Sequence, residues 1–382
     1  FFKQKTAYEI GVRLVGSEMC IRDRTSVGLN YETIECGGKH YLETGKEWED
    51  GSFERCKNAD SMLLGAIGWP GAVRDNGDLA GGEIVLGLRS GLDLYANVRP
   101  VKLFEGIQHK IHGKFNSVWD ASKVNLSILR ENTEGLYYGA LQRSRARSTG
   151  EMMFESPDLE FPGLSGEIAW DPRPISKQGS NRVITKAFEI SSKRNGAPSD
   201  GVSRVTCVDK SNVTRGCQLF RDVFDQVAKS HPKIETNYAY IDAFTMWLIR
   251  NPEEFDVVVT SNMFGDIATD LGSVLQGGMG MAASGNIGDD HALFEPVHGS
   301  SPKYAGKNVV NPIATINSLQ MMLEWLGDKH NDDLLIDISS KVNQVVSDQI
   351  QEGKVMTYDI GGNATTSQVG DDLVNRISYL LD

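Results

Sequence analysis

Asp266 and Asp270 lie four residues apart in FDVVVTSNMFGDIATDLGSVLQ, residues 255–276. On a helix, that spacing projects two carboxylates from neighbouring points of one face. Two hard oxygen donors one turn apart suit Mg²⁺ or Mn²⁺, which keep several waters and accept a chelating substrate. A solvated acidic face is the plainer account of the pair taken alone. A third carboxylate, Asp242, stands upstream in YAYIDAFTMWLIRNPEEF. Three arginines, Arg89, Arg99 and Arg130, occur in LRSGLDLYANVRP and ILRENTEG. Any one of them reads as surface charge, but guanidinium forks pair carboxylates bidentately, so a set at element ends is a candidate carboxylate cradle. Tyr137 follows Arg130 by seven residues, and Lys210 and Asn212 lie in VTCVDKSNV. A lysine drawn in beside a metal and an aspartate can have its pKa lowered and act as a base; elsewhere it is solvated.

The elements that must position these groups follow from the apolar pattern. Residues 255–260 form a short β-branched run, read as a strand buried on both faces. Ser261 or Asn262 then caps a helix carrying Phe264, Ile267, Leu271, Val274 and Leu275 at 3.6-residue spacing. Strands are expected over 29–35, 61–67, 94–100, 125–129 and 204–208. Helices are expected over 47–59, 83–91, 183–195 and 216–230, from 321 to about 352, and near 371–381. This alternation implies an α/β sheet with helices on both faces. Residues 138–171 have little regular period and hold Gly, Pro and Ser. Gly278 to Ala283 fits G-x-G-x-x-A, but it follows a helix rather than a strand, so it is not read as a dinucleotide fingerprint.

A chain of 382 residues, 40% hydrophobic and 24% charged, has ordinary globular composition. Its formal charge of −12 argues against nucleic acid as a partner. No apolar stretch approaches a membrane span, and no secretory h-region opens the chain. The five cysteines (Cys20, Cys36, Cys56, Cys207 and Cys217) show no C-x-x-C spacing and read as reduced residues of a cytoplasmic protein.

Together with LFEPVHGSSPKYAGKNVVNP at 293–312, these motifs resemble the β-decarboxylating dehydrogenases. That family includes the isopropylmalate, isocitrate, homoisocitrate and tartrate enzymes. The resemblance runs in order from about residue 31 to the C-terminus. It implies two interleaved α/β domains around a large mixed sheet, not a Rossmann fold. Residues 25–94 with 278–382 would bind the cofactor. Residues 95–277 would hold substrate, metal and the dimer contacts, with an interlocking arm at about 138–172. Residues 1–24 do not resemble the family's opening strand and G-D-G-I-G-P-E loop. They resemble a translated sequencing adapter and are set aside as a non-native leader.

The resemblance also assigns roles. Arg89, Arg99, Arg130 and Asn212 would bind substrate, with Tyr137 and Lys210 catalytic. Asp266 and Asp270 would hold the metal with Asp242, which, like Lys210, would reach the site from the partner of a homodimer. The metal would chelate the substrate hydroxyl and its adjacent carboxylate, Lys210 would assist removal of the hydroxyl proton as hydride leaves, and Tyr137 would protonate the enolate after CO₂ loss. Glu295, His298, Gly299, Ser300 and Asn311 would line the NAD or NADP site. An aspartate takes the ribose hydroxyls in NAD-using relatives where this chain has Lys303. Lys303, Tyr304 and Tyr358 therefore favour NADP, although the arginine expected four residues after the tyrosine is Gly362. Where isocitrate enzymes place a serine and an asparagine ahead of the first arginine, this chain has Glu83 and Val85. Val85 and Leu86 resemble an apolar wall, favouring an alkyl-substituted malate such as 3-isopropylmalate over isocitrate, homoisocitrate or tartrate. A non-catalytic regulatory subunit is the rival reading; retention of Tyr137, Lys210, Asp242, Asp266 and Asp270 argues against it.

Overall fold

A computed structural model describes residues 29–30, 32–75, 77–138 and 171–381. Eight strands form one mixed sheet in the order β1-β10-β9-β2-β5-β8-β6-β7. These are β1 (Met62–Leu63), β2 (Ala96–Lys102), β5 (Asn125–Glu131), β6 (Arg204–Asp209), β7 (Glu235–Tyr240), β8 (Val257–Thr260), β9 (Ala283–Ile287) and β10 (Ala292–Pro296). A separate hairpin pairs β3 (His109–Ile111) with β4 (Lys114–Asn116). From β5 through β8 and β6 to β7 the pairing is parallel, and β2 runs antiparallel to both β5 and β9. The α/β class and the mixed sheet are as expected.

The centre of the sheet explains the β-branched run. β8 lies between β5 and β6, and all four of its residues are buried. Alternate side chains go to opposite faces. Val258 enters a core with Phe244, Leu323, Val346 and Leu373, while Val257 and Val259 enter another with Phe188, Phe220 and Phe224. Each such side chain contributes about 1.5–3 kcal/mol as an upper figure. Helices α4 (Lys177–Lys193) and α5 (Arg215–Ala228) cover the second face. On the first lie α6 (Ile241–Arg250), α7 (Asn262–Leu275), α8 (Ile313–His330), α9 (Asp333–Glu352) and α10 (Thr366–Leu381). A third core under α3 (Gly82–Gly91) contains Ile84, Leu88, Leu94 and Leu293.

Several expectations need correction. Over 29–35 no described residue is in a strand; only Cys36 makes an isolated bridge, to Trp48. The segment 47–59 yields just α2 (Ser52–Asn58), preceded by the unforeseen α1 (Gly38–Thr44). The strand over 61–67 shrinks to two residues. The long helix from 321 divides at Asn331, which takes φ 53° before Asp332 caps α9 by accepting from the Leu334 N–H at 3.0 Å. Helix α4 starts earlier than expected, where Ser176 Oγ accepts from the Gly179 N–H at 2.9 Å. Most of the arm at 138–172 lies outside the described residues.

The apolar face expected on α7 is only partly observed: Leu275 is buried and Leu271 packs against the first core, but two of the five residues turn outward. Ile267 is 54% and Val274 41% exposed, while Gly265, Ala268, Thr269 and Gly272 face inward. Small residues let the helix backbone sit close to the sheet. A Cβ at Gly265 would stand 2.5 Å from Arg130 Cβ, and one at Gly272 would stand 2.9 Å from Val101 Cγ2.

Candidate active site

Close docking of α7 on β2 and β5 brings five of the expected residues together, Arg99, Arg130, Tyr137, Asp266 and Asp270. Arg130 ends β5, buried, with its guanidinium held by the first residue of α7. Asn262 Oδ1 accepts from its Nε at 2.9 Å and its Nη2 at 2.7 Å. Asn262 Nδ2 in turn donates to the Glu134 carbonyl at 2.7 Å, which fixes the amide's orientation. The remaining fork nitrogen of Arg130 donates to Asp266 Oδ1. Arg99, from β2, donates to Asn97 Oδ1 at 2.7 Å, Thr269 Oγ1 at 2.6 Å and Asp266 Oδ1 at 3.3 Å. It also lies 3.6 Å from Asp270. The Tyr137 hydroxyl donates to Asp266 Oδ2 at 3.1 Å. Neither Ser261 nor Asn262 caps α7 with its side chain; Ser261 Oγ accepts from Arg173 at 3.1 Å instead.

Arg89 reaches the site from α3. Its Nη2 donates to Glu295 Oε1 at 3.0 Å, and its buried Nε has no protein partner. Glu295 also accepts from Asn286 Nδ2 at 2.8 Å. Burial depresses the pKa of Arg99, and burial together with the charge of Arg89 lowers that of Arg130 to about 10. Clustered, desolvated guanidiniums with a free donor favour a carboxylate ligand. Burial, and then the charge of Asp266, raise the carboxyl of Asp270, although Arg99 opposes the rise. Two crowded carboxylates with hard oxygens therefore fit a divalent cation.

Asp242 and Lys210 are elsewhere. Lys210 Nζ pairs with Asp242 Oδ2 at 2.6 Å at the β6 and β7 ends of the sheet, with Asp242 66% exposed. Asn212 is exposed nearby. Among the described residues no group of three His, Cys, Asp or Glu side chains gathers within the chain to hold a metal.

Beyond β10, His298 Nδ1 lies 3.0 Å from the Gly299 carbonyl, while its buried Nε2 has no protein partner. Burial holds the imidazole below its ordinary pKa. Gly299 is exposed, and Ser300 Oγ lies where a Cβ on Gly68 would meet it at 3.3 Å. Asn311 is spent on structure: Oδ1 accepts from the Ile313 N–H at 3.0 Å, and Nδ2 donates to Asp359 at 3.1 Å. The Tyr304 and Tyr358 rings lie 5.9 Å apart, with Lys303 Nζ 4.9 Å from the Tyr304 ring. On α3, Val85 packs against the third core and Leu86 is half-buried, while Glu83 pairs with Arg74 at 3.0 Å. The G-x-G-x-x-A stretch forms a 3₁₀ turn leading into β9, not a strand-to-helix phosphate loop.

The fold and this cluster define an α/β enzyme of small carboxylate metabolites. Residues 19–373 match the family described as isocitrate/isopropylmalate dehydrogenase. The 3-isopropylmalate dehydrogenase of Archaeoglobus fulgidus is 35% identical, covering 98% of this chain and 97% of that protein. The homoisocitrate dehydrogenase of Methanocaldococcus jannaschii is 39% identical, covering 90% and 87% respectively. The crystal structure of isocitrate dehydrogenase from Methylococcus capsulatus aligns with a TM-score of 0.74 at 29% identity, over 97% of this chain and 96% of that one. The chain belongs to the isocitrate/isopropylmalate dehydrogenase family. It is an NAD(P)-dependent, β-decarboxylating oxidoreductase acting on a small hydroxy acid, and the family uses a divalent metal. Among the described residues, no helix is long and apolar enough to cross a membrane.

Proposed function

We propose that the substrate is a malate bearing an alkyl group, most simply 3-isopropylmalate. The observation that carries this reading is α3 ahead of Arg89. Glu83 is engaged by Arg74, and Leu86, one turn before Arg89, offers no donor. A third substrate carboxylate there would lose water without a partner. Val85 belongs to the same wall, although its packing into the third core leaves Leu86 the larger share.

In this reading Arg89, Arg99 and Arg130 hold the two malate carboxylates, with Asn212 assisting. Asp266 and Asp270 hold Mg²⁺ or Mn²⁺ with the partner subunit's Asp242. Such an ion would supply Lewis-acid polarisation of the substrate oxygens. Lys210 of the partner subunit would take the hydroxyl proton, and a bound nicotinamide would supply the hydride acceptor. Tyr137, hydrogen-bonded to Asp266, then delivers a proton to the carbon that has lost CO₂. Glu295, His298, Gly299, Ser300 and Asn311 line the nicotinamide nucleotide, with residues 25–94 and 278–382 as its domain and 95–277 as the other. Lys303, Tyr304 and Tyr358 favour NADP, because an ammonium and two phenols suit a phosphate dianion.

The test is nicotinamide reduction with Mg²⁺, offering 3-isopropylmalate, isocitrate, homoisocitrate and tartrate with NAD and with NADP. Turnover of 3-isopropylmalate with NADP is expected. Turnover of isocitrate or homoisocitrate alone overturns the apolar reading of α3, and a preference for NAD overturns that of Lys303.

A further inference from the structure

Three lysines converge on the Tyr304–Tyr358 pair from different parts of the chain. Lys303 and Lys307 come from the turn after β10, with Nζ 4.9 Å and 5.8 Å from the Tyr304 ring. Lys110 comes from β3, with Nζ 5.7 Å from the Tyr358 ring and 5.4 Å from Phe115. All three are exposed, and none makes an ion pair with a described carboxylate, in a chain of net charge −12. The nearby Asp359 accepts from Asn311 Nδ2 at 3.1 Å and from the Thr357 hydroxyl, and so faces the loop. A hydrogen bond from Tyr358, then the charges of Lys303 and Lys110, draw the Tyr304 phenol below its ordinary range. The patch is therefore an electropositive surface with two phenols and no ion-paired carboxylate on its lysines.

Backbone sterics bar a further cation from the turn after Tyr358. A Cβ at Gly362 would overlap the Met356 carbonyl, so this turn admits no side chain there. Gly361 takes φ 96° and packs under Gln108 and Phe115. The hairpin that covers it is tightly specified. His112 and Gly113, with φ 51° and 76°, close a two-residue turn between Ile111 and Lys114. His109 anchors its base, with Nε2 2.9 Å from the Leu275 carbonyl and its ring 4.8 Å from Trp119. Side chains alternate along β3, so burying His109 turns Lys110 outward beside Tyr358.

We propose that Lys110 is a specificity-determining residue. With Lys303, Tyr304 and Tyr358 it completes a site for a phosphate monoester dianion, the 2′-phosphate of NADP. This rests on the NADP reading above. The test is calorimetric titration of the full chain with NADP, NAD and adenosine 2′-monophosphate, for the unaltered protein and for Lys110→Ala, Lys303→Ala and Lys114→Ala. Lys110→Ala should weaken NADP and adenosine 2′-monophosphate about tenfold, the usual effect of one charge-assisted bond, and leave NAD unchanged. Its NADP affinity should also depend less steeply on salt. Lys114→Ala, which removes an equal charge from the same hairpin, should change nothing. If the unaltered protein binds NADP no tighter than NAD, the NADP reading fails and this site falls with it. If NADP is preferred and Lys303→Ala alone removes the preference, the Lys110 proposal fails while the NADP reading stands. Equal weakening by Lys114→Ala would reduce the effect to general field and overturn the specific assignment.

Discussion

At the scale of single residues, the site depends on how Arg130 is aimed. Three of its nitrogens are engaged, two of them by Asn262 Oδ1 and one by Asp266. Asn262→Ala would leave a buried guanidinium without its main acceptor. The cost is about 1–3 kcal/mol of stability, and Arg130 is then free to turn from its productive angle. Urea unfolding should show that loss, and steady-state kinetics a KM for the hydroxy acid several-fold higher at nearly constant kcat. A kcat that falls with KM unchanged would mean Asn262 serves the chemistry rather than the aim of Arg130. Sequence reading had Asn262 only as a cap, because its partner is 132 residues away and no local pattern pairs them. Arg99, Arg130, Tyr137, Asp266 and Asp270, by contrast, were singled out by the family resemblance of their motifs, and the structure brings their side chains together. The pairing of Arg89 with Glu295 was not, since each had been read toward a different ligand.

At the scale of elements, α7 shows where a periodic reading goes astray. The spacing found the helix, but size decided which face turned in. Gly265, Ala268 and Gly272 face the sheet so that Asp266 comes within reach of Arg130, and the larger Ile267 and Val274 are left outside. Gly265→Ala tests this. The new Cβ would stand 2.5 Å from Arg130 Cβ and 3.1 Å from its Cα, so the helix or the strand must shift. Overpacking costs about 1–3 kcal/mol, and the better helix propensity of alanine returns up to ~1 kcal/mol of it. A net loss of about 1–2 kcal/mol in urea unfolding is expected, with weaker Mn²⁺ binding as Asp266 moves. A stabilised variant with unchanged Mn²⁺ affinity would show that α7 does not need its close approach. The N-terminal elements were also read poorly. The strand expected over 61–67 pairs only through Met62 and Leu63, although its partner β10 runs on to Pro296.

At the scale of the whole molecule, the residues proposed for catalysis lie in two separate groups. Asp266, Asp270 and Tyr137 form one group, and Lys210 with Asp242 form another, at the β7 end of the sheet. Met246 (43%), Trp247 (44%), Ile267 (54%) and Val274 (41%) are exposed on α6 and α7, an apolar surface of the kind a second copy covers. An isologous dimer across it would carry Lys210 and Asp242 of each chain to the other's arginines. Lys210→Ala and Asp266→Asn should each abolish metal-dependent turnover as pure dimers. Mixed and allowed to exchange subunits, they should recover activity. Half the dimers are then mixed, and each has one intact site out of two, so roughly a quarter of normal turnover returns. Sites built within single chains would return none, because every chain in the mixture carries a lesion. The measurement needs only dimer mass by light scattering before and after exchange, and nicotinamide reduction in the mixture.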